Sequence, residues 1–354
     1  MFRNNTKKVK IGKITVGGGN PIRIQSMTAT KTKDISLTVN AIHELEKVGC
    51  EIVRVAVFDY NDAGALREIK NKINIPLVAD IHFDYRLALE AIKQGIDKLR
   101  INPGNIGDQA RIKMVVDACK EKNIPIRIGI NSGSLEKELL PLYRDNPVGA
   151  LIKSAERHIQ ILELLNFTDI VLSLKATDPL VTVNAYKEAA MRFPYPLHIG
   201  LTEAGTRFSG TIRSAAALGI LLNEGIGDTI RISLTADPIE EIKAAKELLA
   251  TFGLYKKPVL ISCPTCGRIQ YDMQPIAAEI EQFLESLGNL DIKVAIMGCA
   301  VNGPGEAREA DIGIAGGSDS ALLFKKGAIM RRIKADEIIT TLKQEILELK
   351  KEKE

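Results

Sequence analysis

Two groups of residues in this chain have types and spacings that can do chemistry, and the first is sulfur. Residues 262–268 read SCPTCGR, so Cys263 and Cys266 are two of only five cysteines; a third, Cys299, opens the run CAVNGPGE. Both groups follow short β-branched runs, 258–262 and 291–298, with an amphipathic helical pattern at 274–289 between them. Strand, helix, strand implies parallel pairing, so both groups leave the carboxyl ends of neighbouring strands and meet at one sheet edge. Structural zinc wants four Cys or His ligands. All four histidines (His43, His82, His158, His198) lie in the first two-thirds of the chain, and Cys50 and Cys119 fall in helical patterns there as small apolar residues. A redox pair of the CxxC kind would leave Cys299 without a role. Three thiolates and an oxygen donor are the inventory of an iron–sulfur cluster with one non-thiolate ligand. Glu306 is the expected oxygen donor, turned back toward the thiols by Gly303, Pro304 and Gly305. An iron held in that way can exchange ligands and act as a Lewis acid as well as an electron carrier.

The second group is cationic. Arg54 lies in IVRVAV, Arg100 in KLRINP, Arg127 in IRIGIN, Lys175 in IVLSLKA, His198 in PLHIGLT and Arg231 in TIRISL. Each has apolar neighbours at period two, so these side chains share one face of their pleats. Facing outward they would be buried under helices at high cost; facing inward they line a cup. A single member could snorkel or pair with an acid such as Asp80 or Asp169. The set is harder to dispose of in that way. Guanidinium groups match phosphate oxygens bidentately, so a small polyphosphorylated ligand is the expected occupant. Asp80, His82, Asn102, Asn131 and Ser233 stand at the same strand ends and are further candidates to hold it. Glu203 closes the run GLTE; beside an apolar strand and near a bound anion its pKa would rise, making it a candidate proton donor. Its competing role is at the N-terminus of the helical segment 208–223.

The elements that must position these residues follow a simple rhythm. Strand-like runs at 22–27, 52–57, 76–80, 98–103, 126–131, 170–176, 196–202 and 229–234 alternate with helical patterns such as 36–49, 85–95, 109–123 and 237–253. Eight such units predict a TIM (β/α)8 barrel over residues 1–254, in which catalytic groups project from the carboxyl ends of strands. An open doubly wound sheet is the competing arrangement. From 255 to 354 the style changes. Strands at 258–262, 291–298, 310–317 and 321–332, the helix at 274–289 and a final helix from Asp336 predict a smaller α+β domain carrying the cysteines. The run VGGGNP (16–21) lacks phosphate-loop spacing and precedes the first barrel strand, so it is expected to be a hairpin turn covering the barrel floor.

Composition bounds the partners. Forty-eight Lys and Arg against 44 Asp and Glu give a net charge of +4, too weak to argue for nucleic acid, and the chain has no Trp to stack on bases. No window is apolar enough to span a membrane, and the basic start lacks the apolar core of a signal peptide. Scattered cysteines fit a reducing, cytoplasmic setting.

The motifs PIRIQSMT, VADIHFDYRLAL, LRINPGNIG, IRIGINSGSL, HIGLTEAG and GDTIRISLTADP, with CPTCGR and MGCAVNGPGEAREADIGIAGG, span nearly the whole chain. In them the sequence resembles the bacterial 4-hydroxy-3-methylbut-2-enyl diphosphate synthases, in their compact form. The resemblance implies reduction of 2-C-methyl-D-erythritol 2,4-cyclodiphosphate to 4-hydroxy-3-methylbut-2-enyl diphosphate, a step of the non-mevalonate isoprenoid pathway. Electrons would come singly from reduced flavodoxin or ferredoxin. It implies a 4Fe-4S cluster on Cys263, Cys266, Cys299 and Glu306, and diphosphate binding by Arg54, Arg100, Arg127 and Lys175, with Asn131, His198, Arg231 and Ser233 nearby. Glu203 falls on the family's acidic residue. A barrel similar to dihydropteroate synthase, a second domain similar to sulfite reductase and a head-to-tail homodimer are also implied. The dimer has a geometric motive, because the last barrel helix returns to the floor before a short connection at residue 255. Two alternatives stay open on the residues: a barrel binding a phosphorylated pterin-like ligand with a zinc-stabilised C-terminal module, and phosphoryl transfer. The latter lacks a phosphate-cradling glycine loop.

Overall fold

A computed structural model of the chain describes residues 2–299, 305, 307–317 and 319–353. They form two compact units, Met1–Leu254 and Tyr255–Glu354.

The first unit begins with a hairpin, β1 (Val9–Ile11) and β2 (Ile14–Val16). Eight strands follow: β3 (Arg23–Met27), β4 (Ile52–Ala56), β5 (Leu77–Asp80), β6 (Lys98–Ile101), β7 (Ile126–Asn131), β8 (Ile170–Lys175), β9 (His198–Ile199) and β10 (Thr229–Ile230). They pair in the order β8-β7-β6-β5-β4-β3-β10-β9, each ladder parallel. The two ends of that row meet: Leu172 bridges to Leu197, and the Leu172 N–H donates to Pro196 O at 2.8 Å. The sheet is therefore a ring, not an open doubly wound sheet. Helices α1 (Ile35–Lys47), α2 (Tyr60–Lys72), α3 (Tyr85–Lys93), α4 (Gln109–Lys122), α5 (Leu140–Asp145), α6 (Pro147–Leu164), α7 (Pro179–Arg192), α8 (Arg207–Asn223) and α9 (Pro238–Thr251) fill the crossovers.

Alternation along the strands builds the core. Ile24, Val53, Val55, Leu99, Ile126, Ile128, Leu172 and Leu174 occupy one pleat face and are fully or almost fully buried, each stabilising by roughly 1.5–3 kcal/mol. At the amino ends of the strands the hairpin closes the barrel: Val9, Ile11 and Val16 pack on Ile52, Val78 and Val171. The floor is thus covered by a hairpin as expected, but its turn is Gly12-Lys13, where Gly12 has φ +54°, and the glycine run at 17–19 follows the second strand. The seventh and eighth strands are shorter than their apolar runs suggest, because Gly200 and the residues after Ile230 leave the ladder.

The second unit is a five-stranded sheet, ordered β11 (Val259–Ser262), β12 (Lys293–Met297), β13 (Ile312–Gly316), β14 (Ser320–Lys325) and β15 (Ala328–Lys334). The first three strands are parallel and the last two antiparallel. Residues 321–332, read from sequence as one strand, are a hairpin instead. Lys326 and Gly327, at φ +50° and +79°, reverse the chain in the middle of the run. Helices α10 (Met273–Glu285) and α11 (Ile338–Lys353) bury Ile280, Leu284, Leu342 and Ile346 against Ile296 and Ile314. Among the described residues no helix is long and apolar enough to cross a membrane.

Candidate functional site

The carboxyl ends of the barrel strands are fixed by caps written into the sequence. Asp59, Asp84, Asp108, Asp178 and Asp237 precede α2, α3, α4, α7 and α9, and each accepts a hydrogen bond from a backbone N–H of the first turn at 2.8–3.0 Å. Each cap is worth about 1 kcal/mol. Pro147, Pro179 and Pro238 stand at the first position of α6, α7 and α9, where a missing N–H costs nothing. The loops of the mouth are therefore held at their far ends before any ligand arrives.

Inside that rim the inward positions are polar. Register places Arg100 beside Arg127, Asp80 beside Arg100 and Asn131 beside Lys175. Asp80 joins two cations: its Oδ1 lies 3.1 Å from Arg100 Nη1 and its Oδ2 lies 3.6 Å from Arg54 Nε. Arg100 Nη1 also lies 2.6 Å from His82 Nε2, and its Nη2 donates to Gly129 O at 2.8 Å. Arg54 donates to the Met27 sulfur from Nη2 at 2.9 Å. Arg231 pairs with Glu241, Nε to Oε2 at 3.2 Å. Asn102 Oδ1 accepts the Gly129 N–H at 3.0 Å. His198 is fully buried with Nδ1 2.8 Å from Thr229 Oγ1. A cavity of about 620 Å³ opens beside Arg100, lined among others by His82, Asn102, Gly133, Glu136 and Arg157.

What distinguishes this interior is the shortage of acceptors. Asp80 and Glu241 are its buried carboxylates, whereas Arg127 Nε and Nη2, Arg100 Nε and His198 Nε2 have no hydrogen-bond partner among the described residues. Lys175, only 7% exposed, makes neither a hydrogen bond nor an ion pair there. The electrostatics carry the same imbalance. Burial, with the fields of Arg54 and Arg100, pushes the Arg127 guanidinium well below its usual value. Burial and neighbouring cations do the same to Lys175 and His198. Burial alone would raise Asp80, but Arg54, Arg100, His82 and Arg127 outweigh it and hold the carboxyl at about 2. Buried cations of one sign, unpaired, cost several kcal/mol each unless an anion enters.

Sequence reasoning missed four members of this set. Lys98 is fully buried, two residues before Arg100 on the same face, and donates to Gln25 Oε1 at 3.0 Å; the period-two pattern that found Arg100 could have found it. Glu241, not Asp169, is the second acid: Asp169 is exposed, while Glu241 accepts from Ser26 Oγ at 2.9 Å and Leu234 N at 3.1 Å as well as from Arg231. It comes from the first turn of α9, off the strands altogether. Gly129 and Gly200 make room. A Cβ on Gly129 would lie 2.5 Å from Arg100 Nε, and one on Gly200 would lie 2.5 Å from Lys175 Nζ.

Glu203 sits differently from its expectation. It is exposed, has φ +53°, and its Oε2 accepts from Thr177 Oγ1 at 2.9 Å. It does not cap α8 either, whose N-cap position is Thr206. Ser233 and Asn131 are half-buried at the mouth, and His82 stands at its exposed rim.

In the second unit, Ser262 of β11 pairs with Ile296 of β12, so Cys263 and Cys299 leave the same sheet edge. The Gly298 N–H donates to Cys263 Sγ at 3.1 Å. Cys263 and Cys299 are half-buried and Cys266 is exposed, whereas Cys50 and Cys119 are buried in the barrel, where burial pushes the Cys50 thiol up to about 12. Glu306 lies outside the described residues. Among the described residues no three His, Cys, Asp or Glu side chains gather closely enough to hold a metal. The donor chemistry nevertheless fits an iron–sulfur group: two half-buried thiols at one sheet edge, a third exposed thiol three residues after the first, and a backbone N–H aimed at sulfur.

Fold and site together define a (β/α)8-barrel protein with a buried, acceptor-poor cationic mouth and a second, cysteine-bearing unit. Known proteins then narrow the class. Residues 6–246 match the model of the GcpE TIM-barrel domain and residues 259–348 that of the GcpE protein C-terminal domain; the chain belongs to the GcpE family. It is 56% identical over 353 residues to the 4-hydroxy-3-methylbut-2-en-1-yl diphosphate synthase (flavodoxin) of Geobacillus thermodenitrificans, covering 99% of this chain and 94% of that protein. Its identity to the protein of the same name from Bacillus anthracis is also 56%, over 97% of this chain and 94% of that one. Among solved structures, the Yersinia pestis dihydropteroate synthase superposes with a TM-score of 0.51 at 12% identity, covering 70% of this chain and 98% of that one. That likeness is one of fold, and it bears out the dihydropteroate-synthase-like barrel.

Proposed function

We propose that this chain is an iron–sulfur oxidoreductase that reduces 2-C-methyl-D-erythritol 2,4-cyclodiphosphate to 4-hydroxy-3-methylbut-2-enyl diphosphate. The observation that carries the reading is the mouth itself: Arg127 and Arg100 are buried with donors that have no partner among the described residues, Lys175 is buried beside them, and the site's own carboxylates are already engaged. A diphosphate supplies the missing acceptors. The relatives' names supply the carbon skeleton and the electron donor, flavodoxin.

In this reading Arg54, Arg100, Arg127 and Lys175 hold the diphosphate, and Arg231, His198, Asn131 and Ser233 orient the polyol around it. Asp80 keeps Arg54 and Arg100 in place and His82 closes the rim. The bond between carbon and one phosphate oxygen breaks while the other ester tethers the product to the cations, so the chain is not lost midway. Two electrons and two protons enter, and one hydroxyl leaves as water. Glu203, exposed at the mouth, delivers a proton to that hydroxyl. Cys263, Cys266, Cys299 and Glu306 hold a 4Fe-4S cluster, which when bound supplies single electrons and a Lewis-acidic iron.

The homodimer belongs to the same proposal. Phe58, Phe83 and Phe208 are 82%, 76% and 77% exposed, and with Leu37 and Leu180 they follow the carboxyl ends of barrel strands. Exposed apolar side chains in the segments that follow the strands suit a protein surface closing over the mouth. We assign that surface to the second unit of a partner copy, and the enzyme to the cytoplasm.

The test is anaerobic turnover of the cyclic diphosphate with a chemical reductant and the cluster-loaded protein. Brown protein that forms the linear diphosphate is the expected result. Colourless protein holding stoichiometric zinc, with no turnover, overturns it.

A further inference from the structure

Where β8 meets β9, the ring of strands is joined largely through a side chain. The Leu172 N–H reaches Pro196 O directly, and farther up Thr202 N–H lies 3.4 Å from Ala176 O. Between these two points the strands stand apart. The Leu174 N–H donates not to the neighbouring strand but to the hydroxyl of Tyr186 at 3.2 Å, and that hydroxyl donates to His198 O at 2.6 Å. Ser173 Oγ lies 3.4 Å from the Tyr186 hydroxyl. Tyr186 comes from α7 and is completely buried. One turn earlier on the same helix face, Thr182 Oγ1 accepts the Ala176 N–H at 3.1 Å.

The Lys175 ammonium occupies the space that a side chain at Gly200 would fill. Where the strands part, the Leu174 N–H and the His198 carbonyl are buried away from a backbone partner, and buried backbone groups must be paired. A tyrosine hydroxyl is suited to the gap because it accepts and donates at once. Burial raises its ionisation to about 12, so it remains a hydroxyl. The two backbone groups it joins are not neutral bystanders: Leu174 directly precedes Lys175, and the carbonyl belongs to His198.

We infer that Tyr186 is a positioning residue of the mouth: its hydroxyl, wedged into the β8–β9 seam, sets where Lys175 and His198 stand and so how tightly the phosphorylated ligand is held. The inference rests on the proposed activity for its substrate but not for its anion. Tyr186→Phe removes the wedge and keeps the ring.

In the cluster-loaded enzyme the variant should raise KM for the cyclic diphosphate about tenfold with kcat within threefold, and weaken pyrophosphate binding by calorimetry about as much. In a Lys175→Met background the same change should alter pyrophosphate binding by less than twofold, since the wedge acts through the lysine. A purely structural tyrosine would instead lower thermal stability and give equal, additive losses in both backgrounds; that result, or unchanged KM and affinity, overturns the inference. Should the Phe variant not fold, hydrogen exchange at the Leu174 amide of the wild-type protein decides. It should slow at least tenfold on pyrophosphate binding, and unchanged exchange refutes the coupling. Pyrophosphate binding without turnover would sink the proposed activity and leave the seam tested.

Discussion

A Cβ placed on Gly200 would stand 2.5 Å from Lys175 Nζ and 2.5 Å from Arg231 O. The first neighbour is the end of a flexible chain and could swing away; the second is backbone and could not. Gly200 has no left-handed φ to explain it, so its role is space alone. Gly200→Ala should therefore fold with a loss of about 1–3 kcal/mol, and should displace Lys175 from the mouth. The expected kinetic result is a loss of at least 30-fold in kcat/KM for the cyclic diphosphate, about 2 kcal/mol of transition-state binding. Urea unfolding beside steady-state kinetics separates the two effects, and wild-type kinetics would show that the ammonium is not needed where it stands.

Arg127 makes the opposite demand on stability. Two of its guanidinium nitrogens have no partner among the described residues, and the carboxylate whose field reaches it, Asp80, is engaged with Arg100 and Arg54. Replacing a buried, poorly paired charge by an apolar chain of similar length is neutral or stabilising by about 1–4 kcal/mol. Arg127→Met should thus raise the melting temperature of the ligand-free protein while abolishing the rise that pyrophosphate gives the wild type. A ligand-free variant less stable than wild type would mean that the charge is compensated after all.

The parts of this site that were legible from sequence are those that obey a period. Arg54, Arg100, Arg127 and Lys175 could be read because a cation in an apolar strand has one affordable direction, and eight βα units have one common closure. Lys98 obeys the same period. It went unread because it opens its run, where a lysine usually belongs to a solvated strand end. Glu241 was beyond reach for a different reason. It arrives from a helix, and an acid in a first turn is ordinarily explained by the helix dipole. Asp169, nearer in sequence to a strand, was the more obvious partner, but it precedes β8 and so lies at the floor end, far from the mouth. Glu203 shows a third limit, since burial of a loop residue depends on a left-handed turn at that residue. The hairpin at 326–327 was hidden because lysine-glycine inside an apolar run reads as strand until the register is seen. For the cysteines, the strand–helix–strand pattern already implied the shared sheet edge, and the parallel pairing of β11 and β12 agrees with it for Cys263 and Cys299.

Asp80 gives a pH test. Its carboxyl is held at about 2 in the fold, by cations that outweigh the effect of burial, against 3.8 as the ordinary value. A depressed carboxylate contributes stability above the unfolded value and loses it as pH falls through the folded one. The contribution, about 2 kcal/mol, should be complete at pH 5 and vanish between about pH 4 and 2. Asp80→Asn should therefore be less stable than wild type at neutral pH by that amount, with the gap closing over the same window in denaturant titrations. A gap that persists unchanged at pH 2 would show that Asp80 acts through shape and not through charge.

The trans arrangement can be tested by mixing defects. Cys263→Ser damages the sulfur edge and leaves the barrel mouth intact; Glu203→Gln does the reverse. If the site is built from the barrel of one copy and the second unit of the other, a heterodimer of the two variants contains one site with both halves sound and one with both damaged. Random reassociation makes half of the dimers mixed, so activity should return to about a quarter of the wild-type level per site from two parents that are each nearly inactive. If each chain instead completes its own site, every site in the mixture carries one defect and nothing is recovered. The Cys263→Ser parent must first be shown to bind pyrophosphate normally, and the Glu203→Gln parent to carry the full colour of the cluster. With those controls met, absence of recovery in a mixed sample removes the dimeric site from the mechanism.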